Sequence, residues 1–211
     1  YRFCALRKSI FRNQIKPICQ RFDFSIESFY LCVSIFDFTT SQLLHSREQL
    51  ITEAMVCLDL ASKLKESQLK FARFDSWKKT EFQSLEHFDS LQKQILVQLD
   101  FNVNILTPFD WVCAFLDLHR SYTKKSKTSK SKLKSVVSKV LYKSWQEYRL
   151  NKFNVFAVAL GVMMVSSNIV KCSERFVKVL KRMFSIPKKQ VKACYREVLR
   201  AIKDGEKSLA F

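Results

Sequence analysis

The sequence predicts an all-α protein, and three observations support that prediction. Only two glycines and three prolines occur among the 211 residues, whereas sheets joined by tight turns need many more, because such turns require a positive or a fixed φ. Hydrophobic residues make up 47% of the chain, which is enough for a sizeable core. Apolar residues also recur at helical spacing along most of the chain.

The first half of the sequence contains four helical patterns and one less regular stretch. The first helix is predicted from about residue 3 to 22, where Pro17 removes one backbone donor and is expected to kink or shorten it. Ser25 is the predicted N-cap of a second helix that is apolar on most sides and therefore central. The remaining predicted elements are a helix over about residues 48–64, a looser charged stretch over 65–80 with Phe71, Phe74 and Trp77 packed under the body, and a helix over 81–99.

After Thr107, the order of elements in the first half is repeated. Pro108 suits the first turn of a new helix, where its missing backbone donor costs little. A basic loop is predicted over about residues 120–132, and the chain is expected to divide into two five-helix units in tandem, residues 1–105 and 106–211. The later helices of the second unit are predicted over about residues 133–150, 153–166, 173–184 and 186–203.

The net charge of +18 suggests a partner rich in phosphate or a membrane surface. Part of this charge is concentrated in residues 124–132, which include no apolar residue and are most simply a solvated loop. Alternatively, the segment is a localisation signal or a nucleic-acid contact. The candidate contacts are Lys124, Lys125, Lys127 and Lys130.

Several function classes are not supported by the sequence. The longest apolar stretch, residues 155–165, is about half the ~20 residues that a membrane-spanning helix requires. The seven cysteines lie far apart and are expected to be core residues in an intracellular compartment, nuclear or cytoplasmic. The three histidines are isolated, and no phosphate-binding glycine loop or nucleophile motif occurs. We therefore expect no catalysis, no metal, no cofactor and no small-molecule substrate.

Four short strings, in the correct order, resemble the cyclin box. Residues 28–37 (SFYLCVSIFD) resemble its second helix, and residues 54–63 (AMVCLDLASK) resemble its third helix, which ends in A-S-K. Residues 94–103 (QILVQLDFNV) resemble its fifth helix and exit, and Thr107-Pro108 resembles the junction to a second repeat. The resemblance implies two tandem cyclin folds in a non-enzymatic subunit that docks on a cyclin-dependent protein kinase.

The resemblance also implies a docking face. In the family, the lysine after A-S holds the kinase's regulatory helix by donating to its main chain, and this role carries over to Lys63. A glutamate that assists it falls on Gln92, whose neutral side chain implies weaker or differently arranged docking, so restoring a glutamate there is expected to tighten binding. Asp89, one turn earlier, is a candidate substitute. The apolar part of the face would be Leu64, Leu96 and Phe101, any of which could equally be core.

Three functions remain open on the sequence, in this order. The first is a cyclin that activates a kinase, which the A-S-K string and the exit to Phe101 favour. The second is a cyclin-fold nucleic-acid binder similar to the general transcription factor of the B type, which the net charge favours. The third is a cyclin-fold scaffold without kinase activation, for which Gln92 is the main argument.

Overall fold

The computed structural model describes residues 2–40, 46–81, 85–122, 127–171, 176, 179–180 and 187–207, of which residues 2, 122, 127–130 and 204–207 are described by their backbone alone. Within these residues the chain is almost entirely helical and contains no strand, which confirms the predicted all-α class. The chain divides into two units, Tyr1–Thr107 and Pro108–Phe211. Among the residues described, no helix is both long enough and apolar enough to cross a membrane.

The first unit is built from six α-helices and a π-helical turn within its described part. The helices follow the predicted order, but residues 65–80 differ from the expected loose stretch because most of them form a regular helix. The segment lacks glycine and proline, and Phe74 and Lys78, four residues apart, share its buried face. The elements are α1 (Arg2–Ile10), the π-helical turn (Phe11–Ile15), α2 (Lys16–Arg21), α3 (Ile26–Thr39), α4 (Arg47–Lys65), α5 (Gln68–Glu81) and α6 (Leu85–Gln98).

The π-helical turn lies directly before Pro17. A proline inside an α-helix removes one hydrogen bond and its ring clashes with the carbonyl four residues earlier, here that of Asn13. The wider turn relieves this conflict, and the Lys16 backbone N–H donates to the Phe11 carbonyl, five residues back. Phe11 and Ile15 remain fully buried. The observed effect of Pro17 is therefore a change of helix type within a continuous helical segment, where a kink or a shortened helix was predicted.

Helices α3 and α4 form the centre of the first unit. Ser25 caps α3 as predicted, because the Ser28 backbone N–H donates to its Oγ at 3.2 Å. Ser46 caps α4 in a capping box with Gln49. The end of α4 is held against the start of α3 by Glu66, whose Oε1 accepts from the Ser25 backbone N–H at 2.6 Å. Because Glu66 directly follows α4, this bond fixes the end of the helix that carries Lys63.

A buried ion pair joins the first helix to α3. Arg7 is 1% exposed, and its Nε and Nη2 donate to the two oxygens of Asp37 at 2.5 Å each. Two parallel bonds of this kind fix both position and orientation. The guanidinium also lies 5.7 Å from the centroid of the Phe11 ring.

The second unit surrounds an apolar central helix. Its described elements are α7 (Pro108–Tyr122), α8 (Lys127–Ser144), a 3₁₀ turn (Tyr148–Lys152), α9 (Val155–Ile169) and α10 (Lys188–Lys207). Gly161 of α9 faces α10, and a Cβ there would lie 3.4 Å from both Cys194 Sγ and Val198 Cγ2, so the two helices pack closely at this point. Of the helix predicted over residues 173–184, only Phe176, Val179 and Leu180 are described, and all three are helical.

The predicted basic loop over residues 120–132 is mostly helical instead. Residues up to Tyr122 complete α7, and α8 begins at Lys127. Leu133, Val137 and Val140 bury one face of α8, and lysine is a good helix former, so the helix extends into the polar segment before them. Of the four candidate phosphate contacts, Lys124 and Lys125 lie outside the described residues. Lys127 and Lys130 lie in the first turn of α8, and their side chains are outside the description.

Candidate functional site

A fully buried carboxylate, Asp59, organises the end of α4. Asp59 is 0% exposed and stands in an otherwise apolar stretch of the helix. Its Oδ1 accepts a hydrogen bond from Lys78 Nζ at 2.7 Å. Its Oδ2 lies 2.6 Å from Lys63 Nζ and 3.4 Å from Gln92 Nε2. Because a buried charge is costly unless it is paired and hydrogen-bonded, these three partners explain how the site retains a carboxylate.

Lys78 of α5 supplies the buried positive charge of this cluster. It is 6% exposed, and its Nζ also lies 2.8 Å from Asp75 Oδ1 and 4.9 Å from the centroid of the Phe88 ring. Burial alone would lower the pKa of Lys78, but hydrogen bonds to Asp59 and Asp75 outweigh it, so the pKa is raised above the ordinary 10.5. Lys78 is therefore charged at neutral pH.

Lys63 is the part of the cluster that reaches solvent. Its side chain is 39% exposed while its Nζ pairs with Asp59 one turn earlier on the same helix. The ammonium also lies 5.6 Å from the centroid of the Phe71 ring of α5. An ammonium has three N–H donors, so the bond to Asp59 orients Lys63 and leaves donors for a partner. The electrostatic cluster of Asp59, Lys63, Lys78 and Gln92 is called the Asp59 cluster below.

Several apolar side chains at the ends of α4 and α6 are exposed. Leu64, next to Lys63, is 46% exposed, and Phe101, just after α6, is 69% exposed. Leu96 is half-buried on α6, one turn after Gln92. Large exposed apolar side chains of this kind, in a unit that also presents an oriented cation, are typical of protein–protein contact surfaces.

The backbone places Phe101 in an unusual conformation. The Phe101 N–H donates to the Leu96 carbonyl at 2.8 Å and the Asp100 N–H to the Val97 carbonyl at 3.0 Å, the pattern of a Schellman helix end. Asp100 and Phe101 have φ values of 47° and 59°. A bulky residue rarely adopts this left-handed region, which costs about 1–3 kcal/mol. Such a cost at an exposed aromatic residue is more common at functional sites than elsewhere.

The aromatic residues of α5 anchor this helix to its own unit. Phe74 is fully buried, and its ring centroid lies 5.5 Å from that of Phe22 and 5.4 Å from that of Phe24. Trp77 extends the cluster, with its ring centroid 5.8 Å from that of Phe74. The cluster holds Lys78 in place beneath α4. Phe71, half-buried, instead lies against the Lys63 ammonium.

The structure brings some of the sequence-predicted site residues together and leaves others apart. Lys63 and Gln92 meet through Asp59 Oδ2. Asp89 is exposed on α6, and no ion pair joins it to Lys63 within the described part of the chain. Asp59 and Lys78 were not predicted as site residues, although the sequence contained a signal for Asp59: an acidic residue in an apolar helix, four residues before the lysine.

Comparisons with known proteins agree with this architecture. Residues 6–104 match the family model described as the cyclin N-terminal domain. The fold is similar to that of a solved viral cyclin from herpesvirus saimiri, with a TM-score of 0.64 and 16% sequence identity over 92% of this chain and 85% of that one. No curated protein sequence is significantly similar to this chain. The predicted resemblance to cyclins is confirmed.

Proposed function

We propose that this chain, whose N-terminal unit belongs to the cyclin family, is a regulatory subunit that binds and activates a cyclin-dependent-type protein kinase. Phosphoryl transfer would take place wholly in the kinase. The chain would act by binding the active arrangement of the kinase more tightly than the inactive one, which shifts the population towards the active arrangement. The position of the kinase's regulatory helix controls whether its catalytic lysine and glutamate can pair.

The observation that supports this proposal most strongly is the geometry of Lys63. The Lys63 side chain is 39% exposed, its ammonium is held by a buried carboxylate at 2.6 Å, and the exposed Leu64 is next to it in the sequence. A donor fixed in this way loses less side-chain entropy when a partner carbonyl accepts from it. The exposed Phe101 would add apolar area to the same contact. Together, Lys63 and these apolar side chains are complementary to the end of a partner helix, where unpaired backbone carbonyls lie beside apolar side chains.

The Asp59 cluster also suggests how docking tolerates a glutamine at position 92. The resemblance to cyclins implies a glutamate at this position beside the lysine. Here the carboxylate next to Lys63 comes from Asp59 of α4, and Gln92 donates its amide to that carboxylate. The negative charge is thus supplied from the interior of the unit, so the partner would meet Lys63 and a neutral amide. Asp89 stays a candidate for a further contact at the exposed side of α6.

The Lys63→Ala variant tests the proposal directly. It should weaken the complex with the kinase by about tenfold or more, since it removes a charge-assisted hydrogen bond to the partner. Its melting temperature should fall only slightly, because Asp59 keeps Lys78 and Gln92 and Lys63 is its most solvent-exposed partner. Lys93→Ala, which removes another exposed lysine from the same unit, is the matched control.

Affinities would be measured by titration calorimetry against the purified kinase, with circular dichroism to confirm folding. Equal affinities for the parent, Lys63→Ala and Lys93→Ala would contradict the assignment of Lys63. Tight binding without any rise in kinase activity would contradict activation and favour a scaffold role.

A further inference from the structure

Almost all of the net positive charge of this protein lies in its second unit. Residues 1–107 contain 14 Lys and Arg against 12 Asp and Glu, a net charge of +2. Residues 108–211 contain 23 Lys and Arg against 7 Asp and Glu, a net charge of +16. A difference this large between two halves of similar size indicates that the two units meet partners of different chemistry.

Helix α10 arranges part of this charge along one face. Val191, Cys194, Val198 and Ala201 are buried and form the face that packs on the rest of the unit. At 100° per residue, the basic positions fall on the opposite side of the helix, within an arc of about 120°. They are all exposed: Lys188, Lys189, Lys192, Arg196, Arg200 and Lys203, which together are called the basic stripe below.

The spacing of the basic stripe is regular. Lys188 and Lys189 are adjacent, and the later members follow every three or four residues, about 4.5–6 Å apart along the axis, over a total length of about 22 Å. Among the side chains that the structure describes, Glu197 is the acidic group that pairs with the stripe: its Oε1 is 2.9 Å from Arg200 Nη1 and also 3.8 Å from Lys152 Nζ. Lys188, Lys192, Arg196 and Lys203 form no ion pair with a described carboxylate in the structure. The stripe is therefore a continuous cationic ridge that extends roughly two helical turns on either side of Arg196.

The described part of α10 lacks exposed apolar anchors, and this distinguishes nucleic acid from an acidic protein or an anionic membrane as its partner. No large hydrophobic residue is exposed among the α10 side chains that the structure describes. A protein partner is usually held by buried aromatic or aliphatic anchors, and a helix that binds a membrane inserts such side chains into it. A nucleic-acid backbone requires neither, because its affinity comes from charge neutralisation and counterion release. The first unit differs in this respect, since it exposes Leu64, Leu69 and Phe101.

We propose that the basic stripe of α10 binds the phosphate backbone of nucleic acid, as a function of the second unit separate from kinase docking. Apart from Arg196 and Arg200, the described part of α10 presents no exposed aromatic, asparagine or glutamine side chain that could stack on or pair with a base. Binding is consequently strongly dependent on salt and only weakly dependent on base sequence. Its role is to hold the protein, with any partner on the first unit, near a chromosome or transcript.

The test compares the full-length protein with two variants of equal charge. The stripe variant is Lys188→Gln, Lys192→Gln, Arg196→Gln and Lys203→Gln, which keeps helix propensity and leaves the Arg200–Glu197 pair in place. The control variant is Lys132→Gln, Lys134→Gln, Lys139→Gln and Arg149→Gln, which removes four exposed charges from the same unit outside α10. Circular dichroism melting establishes that all three proteins are folded.

Binding to a labelled DNA duplex of about 20 base pairs and mixed sequence would be followed by fluorescence anisotropy between about 50 and 200 mM salt. The stripe variant should lose about tenfold or more in affinity, and its slope of log K against log salt should be smaller in magnitude by about 3 to 4. The control variant should keep a slope close to that of the parent.

Three results would overturn the proposal. The first is an unchanged slope in the stripe variant, and the second is an equal loss in the control variant, which would indicate a general effect of net charge. The third is a stripe-dependent preference for vesicles containing phosphatidylserine or for polyglutamate over DNA, which would assign the surface to a membrane or to an acidic protein.

Discussion

At the scale of single residues, Asp59 is the group on which the site depends. A carboxylate with 0% exposure is stable only while cations and donors surround it, and Lys78 is its most buried partner. Lys63 can then be both fixed and half-exposed, because the charge that fixes it lies beneath the surface. The buried charge of Asp59 is thus balanced by Lys63 and Lys78 of the same unit, without a contact from the partner.

Replacing Lys78 should therefore be far more damaging than replacing its neighbour. Lys78→Met should lower the free energy of unfolding by about 3 kcal/mol, the lower end of the range for breaking a buried ion pair, since Lys63 and Gln92 still contact Asp59. Lys79→Met, which removes a mostly exposed lysine paired with Asp75, should change it by less than about 1 kcal/mol. Urea denaturation at neutral pH measures both, and equal effects would refute this description of the cluster.

The raised pKa of Lys78 adds a pH dependence with a defined sign. A lysine whose folded pKa lies above its unfolded value contributes stability that is fully present below about pH 10.5. The contribution is lost as the pH rises through the folded pKa. The stability difference between the parent and Lys78→Met should therefore be constant at neutral pH and shrink only in strongly alkaline solution; a difference that shrinks on acidification between pH 8 and 6 would contradict it.

The expected effect of Gln92→Glu is the reverse of the one that the resemblance alone implies. Gln92→Glu would place a second carboxylate beside Asp59 Oδ2, which lies 3.4 Å from the present amide nitrogen. Repulsion between them should lower the free energy of unfolding by about 1–2 kcal/mol and should not tighten kinase binding. The double variant Asp59→Asn with Gln92→Glu restores the original number of charges and should recover part of the loss. A single variant that is both more stable and tighter binding would show that the cluster is misassigned.

At the scale of elements, α5 is the helix that completes the site. Its charged composition indicated a loose stretch, yet residues Gln68–Glu81 form a regular helix. Phe74 packs against Phe22 and Phe24, just after α2, and Trp77 packs against Phe22. Packing of this kind outweighs weak local propensity. The same reasoning explains α8, where three buried apolar residues extend a helix into a lysine-rich segment.

A core substitution in α5 tests whether the aromatic cluster supports the site. Phe74→Ala should lower the free energy of unfolding by about 3–5 kcal/mol, since Phe74 is fully buried. Leu69→Ala removes an apolar side chain of the same helix that is 72% exposed, and it should change stability by about 0.5 kcal/mol or less. Urea denaturation measures both variants; similar losses would mean that α5 is not anchored by its aromatic face.

The sequence predicted more of the elements than of the site. Caps, helical periodicity and the four cyclin-like strings placed α3, α4 and α6 within a few residues of their observed bounds. The Asp59 cluster was missed because it joins α4, α5 and α6, and contacts between residues up to 33 positions apart cannot be read from periodicity. The π-helical turn before Pro17 was also not predicted, since the sequence indicated only a kinked or shortened helix.

At the scale of the whole molecule, the two units share an all-α design but differ in surface chemistry. The first unit is nearly neutral and exposes apolar side chains and Lys63, whereas the second carries almost all of the net charge. The first surface fits a protein partner and the second fits a polyanion. Under the two proposals together, one chain would bring a kinase to a nucleic acid.

The central claim is that the first unit binds and activates a kinase through Lys63. The tagged parent protein and Lys63→Ala would be purified from the native cells at moderate salt, and the eluates compared by quantitative mass spectrometry and a kinase assay. We expect a cyclin-dependent-type kinase in near-equal amount with the parent, active in the assay, and strongly reduced with Lys63→Ala. An eluate without such a kinase, or one with equal kinase and activity from both proteins, would contradict the account.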